Sequence, residues 1–206
     1  MRNAQNINEI AKLNPDYVGF IFYEKSPRYV KTLCAPSLPK HIKKVGVFVN
    51  ETAEKILSIV QKYGLDLVQL HGAETPEFCR NLKQKMQNVK IAKAINIENV
   101  SDIEKTKMYD NHCCDYFLFD TKTVSTSLNE PIYGGSGEKF EWGTLDRYDG
   151  EIPFFLSGGI SIDDVLKIKE IRHNLLYGID INSRFEIEPG LKDAEKVKQF
   201  LIEIKK

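Results

Sequence analysis

Short apolar runs alternate along the chain with amphipathic stretches. The runs are Tyr17–Phe22, Val45–Val49, Leu67–His71, Ile91–Ile95, Tyr116–Asp120, Phe154–Ser157 and Tyr177–Ile181. They are rich in β-branched and aromatic residues, and their near-continuous apolar character suits strands buried on both faces of a parallel sheet. Between them, Thr52–Tyr63 gathers Ala53, Ile56, Leu57, Ile59 and Val60 on one face. That segment predicts a helix capped by Thr52 and stopped at Gly64. Thr75–Met86 opens Thr-Pro-Glu, a cap followed by proline at the first helical position. Asn3–Leu13, Ile162–Ile171 and Asp193–Ile204 repeat the amphipathic pattern.

Strand and helix therefore alternate, which predicts an α/β fold with a parallel sheet. A doubly wound sheet usually has fewer strands and reverses its strand order. Seven strands behind a leading helix predict instead a (β/α)8 TIM barrel with the first β-strand missing from this chain. No composition break divides the sequence, so a single barrel domain over residues 1–206 is expected. A chain of 206 residues is long enough for one sizeable core. The one long connection, Thr121–Ile152, carries Gly134-Gly135-Ser136-Gly137 and reads as an active-site loop.

Charge narrows the function. Lys+Arg and Asp+Glu both number 29, so the formal net charge is zero. Such a chain lacks the broad positive field of a general nucleic-acid binder. No apolar run is long enough to span a bilayer, and the polar start MRNAQNINEI is no signal peptide. The four cysteines (Cys34, Cys79, Cys113, Cys114) form no Cys-x-x-Cys pair, and the four histidines are scattered. Zinc-type spacing is absent, and free thiols without an export signal point to a reducing, cytoplasmic setting.

In a parallel barrel the chemistry sits at the C-terminal strand ends. Those ends carry Gln69 and His71, Lys93, Asp120, Ser157-Gly158-Gly159, and Asp180-Asn182-Ser183, with Arg28 just past the first visible strand. Asp120 suits catalysis, or capping of a turn at the rim. His71 suits either a functional or a satisfied rim histidine. Lys93 lies inside an apolar strand, where a functional or ion-paired role outranks a solvated one. Arg28 either braces its loop or offers a forked cation to a carboxylate. The LSGGIS and DINSR turns occupy the usual phosphate positions of this architecture, where backbone N–H groups approach an anion.

Together these blocks resemble the phosphoribosylanthranilate isomerase family of tryptophan biosynthesis. The resemblance runs through GFIFYEKSPRYV, KKVGVFVN, LDLVQLHGAETPEFC, FLFDT, GGSGEKFEW, FLSGGI and GIDINSRFEIEPGLKD, which span essentially the whole chain. It implies an Amadori rearrangement of N-(5'-phosphoribosyl)anthranilate by general acid and base catalysis, with no metal and no cofactor. It also implies Asp120 as the acid, Arg28 as the contact to the anthranilate, and Gly158, Gly159, Asn182 and Ser183 around the phosphate; strand-end position adds Gln69, His71 and Lys93 as expected substrate contacts and Asp180 as an expected phosphate contact. The expected partner is a small phosphosugar, with neither nucleic acid nor membrane, and the protein is expected as a monomer or homodimer. Glu138 and Arg184 depart from residues common in the family.

The resemblance places the general base, a cysteine, at the end of a first strand that this sequence lacks. None of the four cysteines substitutes by position: Cys34 and Cys79 fall in helical stretches, and Cys113-Cys114 precede a strand. The chain as written is therefore expected to be impaired. The alternatives are a non-catalytic phosphosugar-binding barrel or another phosphosugar isomerase or epimerase. Truncating a closed barrel would open two edges, so a misassigned start is favoured. In-frame codons just upstream should encode an apolar strand ending Cys-Gly, and a stop codon directly before Met1 would refute this.

Overall fold

The computed structural model describes residues 1–32, 37–86, 88–121 and 141–206. Its centre is a parallel sheet of seven strands in sequence order: β1 (Tyr17–Ile21), β2 (Lys43–Phe48), β3 (Leu67–Leu70), β4 (Lys90–Ile97), β5 (Tyr116–Thr121), β6 (Phe154–Leu156) and β7 (Leu176–Ile179). Each expected strand is present, within a few residues of its predicted bounds. The ladder advances without reversal, pairing Gly19 with Val45, Val47 with Gln69, Gln69 with Ala92 and Asn96 with Asp120. The sheet curls until its two edges approach: Tyr17 Oη on β1 and Tyr177 Oη on β7 lie 3.3 Å apart. Among the described residues no ladder joins β7 to β1.

The helices form where the caps allow. Helix α1 (Ala4–Ala11) begins at Asn3, whose side chain accepts the Asn6 N–H at 2.9 Å. Helix α2 (Ala53–Tyr63) starts at Thr52 and ends at Gly64, which takes the left-handed conformation at φ 58°. Helix α3 (Pro76–Lys85) has Thr75 as its cap and proline in its first turn. After β4 come a short helix, α4 (Val100–Ile103), and a 3-10 turn that the pattern did not reveal. The segment expected as a helix over Ile162–Ile171 starts instead as a 3-10 turn and continues as α5 (Val165–Glu170). The Asp164 carboxylate accepts both the N–H and the hydroxyl of Ser161, which holds that first turn tight. The chain ends in α6 (Ala194–Lys205), capped by Asp193.

Alternation along the strands separates two apolar layers. Phe20, Phe48, Leu70, Ile91, Phe117, Phe119 and Phe154 face the helices and are buried with Ile56 of α2 and Leu82 of α3. Phe22 stacks on Phe48 at 5.4 Å, and Phe119 packs on Phe154 at 4.8 Å. Tyr17, Val45, Leu67, Ala92, Leu118 and Phe155 form the other, inner layer. Cys79, Cys113 and Cys114 are buried free thiols, as small packing residues would be; Cys34 and the glycine run at 134–137 lie outside the described residues. Phe48 is fully buried, so Phe48→Ala should cost about 3–5 kcal/mol of stability in urea unfolding.

Candidate active site

A cavity of about 570 Å³ runs down the inside of the curled sheet, and Gln69, His71, Asp120, Ser157, Gly158, Gly159, Asp180, Asn182, Ser183 and Arg28 all line it. Each sits at or just beyond a strand's C-terminal end, because parallel strands in continuous register carry all those ends to one rim.

Three of these residues form a buried chain. Gln69 Nε2 lies 2.8 Å from His71 Nδ1, and His71 Nε2 lies 3.1 Å from Asp120 Oδ2. A carboxamide donating to Nδ1 leaves the neutral ring's proton on Nε2, facing the carboxylate. The second approach is close but off-axis: Nε2 is buried without a well-directed hydrogen bond.

Opposite stands a second carboxyl. Asp180 accepts the Ser157 hydroxyl at 3.2 Å. Burial, and then the neighbouring Asp120 charge, raise its pKa above the ordinary carboxylate range. Beside Ser157, Gly158 and Gly159 have φ of 93° and 61°, a left-handed pair that side chains resist. That turn points backbone into the cavity where a bulky anion needs close approach.

A hairpin that the sequence pattern did not reveal closes this side. Strands β8 (Glu186–Glu188) and β9 (Leu191–Lys192) pair antiparallel around Pro189-Gly190. A Pro-Gly pair between short runs was the available turn signal. The hairpin brings in Glu186 and Lys192. Arg28 grips the Glu186 carboxylate, from Nε at 2.9 and 3.1 Å and from Nη2 at 2.7 Å. Lys192 Nζ donates to the Asn182 carbonyl and side-chain oxygens at 2.9 and 2.7 Å and lies 3.4 Å from Glu186 Oε1. Arg28 is thus at the cavity, with one side of its fork already engaged. Burial lowers the Lys192 pKa despite the carboxylates nearby.

Lys93 does not join the others. It is buried, but β4 turns it away from the cavity that its neighbour Ala92 lines. Its ammonium meets Glu74 Oε2 at 3.1 Å and the carbonyls of Gly72 and Ala94 at 2.8 and 3.0 Å. The expectation of a substrate contact gives way to the ion-paired reading, since a buried ammonium needs that many acceptors. Glu74, like Glu186 and Lys192, was missed, because a glutamate in a loop gives no burial signal.

No described cysteine lines the cavity. Cys79 sits in α3, where burial pushes its thiol up to about 12. Burial raises Cys113 and Cys114 too, which makes all three poor proton acceptors.

Glu186 yields a pH-dependent prediction. Burial would raise its pKa, but the Arg28 hydrogen bonds and the Lys192 and Arg28 charges outweigh burial and lower it. A lowered carboxylate stabilises the fold fully above its unfolded pKa and loses that contribution as pH falls through the folded value. Glu186→Gln should therefore cost about 3 kcal/mol at pH 7 and less at pH 3, measured by paired urea titrations.

Comparison with known proteins shows the family. The family model described as N-(5'phosphoribosyl)anthranilate (PRA) isomerase matches residues 1–203. An N-(5'-phosphoribosyl)anthranilate isomerase from Parabacteroides distasonis is 45% identical over 209 residues, covering 99% of this chain and 90% of that relative. A crystal structure of phosphoribosyl anthranilate isomerase from Thermotoga maritima superposes with a TM-score of 0.78 at 32% identity, covering 100% of this chain and 95% of that one. Another, solved in complex with reduced 1-(o-carboxyphenylamino)-1-deoxyribulose 5-phosphate, has a TM-score of 0.76 at 29% identity, with 100% and 95% covered. A chain with this rim, matched to one family along almost its entire length, belongs to the N-(5'-phosphoribosyl)anthranilate isomerase family.

Proposed function

We propose that the rim cavity rearranges N-(5'-phosphoribosyl)anthranilate, an aminoaldose, into 1-(2-carboxyphenylamino)-1-deoxyribulose 5-phosphate, an aminoketose. The observation that carries the reading is the shared cavity of Asp120, with His71 beside it, and the Gly158-Gly159 turn. One end holds an acid and the other suits a phosphate, as a phosphosugar requires.

The chemistry needs two proton transfers. Asp120 gives a proton to the furanose ring oxygen; the C1'–O bond breaks and the nitrogen lone pair forms the C1'=N iminium. A base then takes the C2' proton, and those electrons neutralise the iminium as an enolamine. Ketonisation gives the product, and no redox partner is needed. His71 holds the Asp120 carboxyl toward the cavity, while Gln69 sets the ring tautomer. Arg28 meets the anthranilate carboxylate with the nitrogen that Glu186 leaves over. Gly158, Gly159, Asn182 and Ser183 receive the phosphate.

The same reading takes the curled sheet as seven strands of a (β/α)8 barrel forming one domain. The slot between β1 and β7 supports it: Val18, Ile10, Ile179, Val197 and Phe200 line the cavity there, an apolar wall that suits one more strand. The base would come with that strand. The absence of a thiol from the cavity among the described residues favours an impaired 206-residue chain, and it keeps open a second reading as a phosphosugar binder without turnover.

Complementation of a tryptophan auxotroph tests both. The chain supplied with a first strand ending in Cys-Gly should restore growth, and the chain as written should not. Turnover by the 206-residue chain at the rate of the lengthened one would overturn the impairment. In the lengthened enzyme, Asp120→Asn should lower kcat by roughly 10²–10⁴-fold and leave product-analogue binding within a few-fold.

A further inference from the structure

We infer that the buried Lys93–Glu74 ion pair is a positioning device for His71, acting through the backbone on either side of that residue. The inference rests on the reading of His71 as part of the site. The two side chains are only 3% and 2% exposed and sit on the outer side of the sheet, beneath the rim.

The contacts are specific to the turn that carries His71. Lys93 Nζ reaches the carbonyl of Leu70 at 3.3 Å and that of Gly72 at 2.8 Å, the residues directly before and after His71. It also reaches Ala94 O of its own strand at 3.0 Å. Glu74 holds the same turn from the other side, accepting the Gly72 N–H at 3.0 Å and the Asn50 N–H, just past β2, at 2.8 Å. One ion pair therefore fastens the C-terminal ends of β2 and β3 to the middle of β4, around a single imidazole.

Two further features leave the turn little freedom. The Ala73 N–H donates to the Asn50 side-chain oxygen at 2.7 Å. A Cβ at position 72 would collide with that same carboxamide, so glycine is required there. The His71 N–H donates to Phe48 O at 2.8 Å. The backbone of His71 cannot shift without breaking this set, which fixes where its imidazole is presented to Gln69 and Asp120. A lysine and glutamate serving only as fold glue would not need to converge on the two peptide units that define the histidine's direction.

The test is a ring-proton NMR titration of the four histidines, with the His71 signal assigned by its loss in His71→Gln. The key variant is Lys93→Met/Glu74→Gln, which removes both charges together. The pair's net charge is unchanged, so a change at His71 reports geometry and not a lost Coulomb field. The expected result is a folded variant whose His71 midpoint moves by about half a pH unit or more, with His41, His112 and His173 unmoved. A folded variant whose His71 curve superposes on the parent's would overturn the inference, as would equal movement of all four signals. Should the double variant not fold, the charge-conserving Glu74→Asp, which shortens the carboxylate's reach to the Gly72 and Asn50 N–H groups, is read by the same criteria. The titration needs no ligand. Binding of reduced 1-(o-carboxyphenylamino)-1-deoxyribulose 5-phosphate by the parent chain tests the isomerase reading separately.

Discussion

A parallel ladder in unbroken sequence order imposes most of what this protein can do. Every strand points the same way, so every strand's C-terminal end arrives at one rim. Side chains alternate between the two faces of the sheet, so a polar residue at the right parity faces inward with no further instruction. Gln69 pairs in register with Ala92, and Asn96 with Asp120, and that register sets the depth at which the polar groups meet. A slip of one residue on β3 would turn Gln69 and His71 into the helix layer and Leu70 into the cavity.

The outer layer holds that register with aromatic and aliphatic bulk. Phe48, Phe117, Phe119 and Phe154 pack beneath the helices, while the inner layer mixes Tyr17, Tyr116 and Phe155 with the smaller Val45, Ala92 and Ala94. The cavity's walls are apolar and its rim is polar.

Two buried ion pairs divide the work at the rim. Arg28–Glu186, with Lys192, ties the loop after β1 to the turn after β7. Lys93–Glu74 ties the turn after β3 to its neighbours. Such pairs contribute little net stability against the cost of desolvating them, so geometry is the better account of why charge sits there.

The amino-acid sequence determined the elements and their order. Apolar runs of strand length, Thr52, Thr75 and Asp193 as caps, and Gly64 as a stop are local signals that need no distant partner. The rim residues were legible for a related reason: strand-end position alone picks out His71, Asp120 and Gly158-Gly159. Tertiary structure alone decided which charges face the cavity and which are held by partners. Lys93 and Asp120 both lie in apolar runs, yet one turns outward to Glu74 and the other inward to His71. Arg28 finds Glu186 across 158 residues of chain. Those outcomes depend on the parity of each strand and on contacts between segments far apart in sequence, and neither is written in any local stretch of residues.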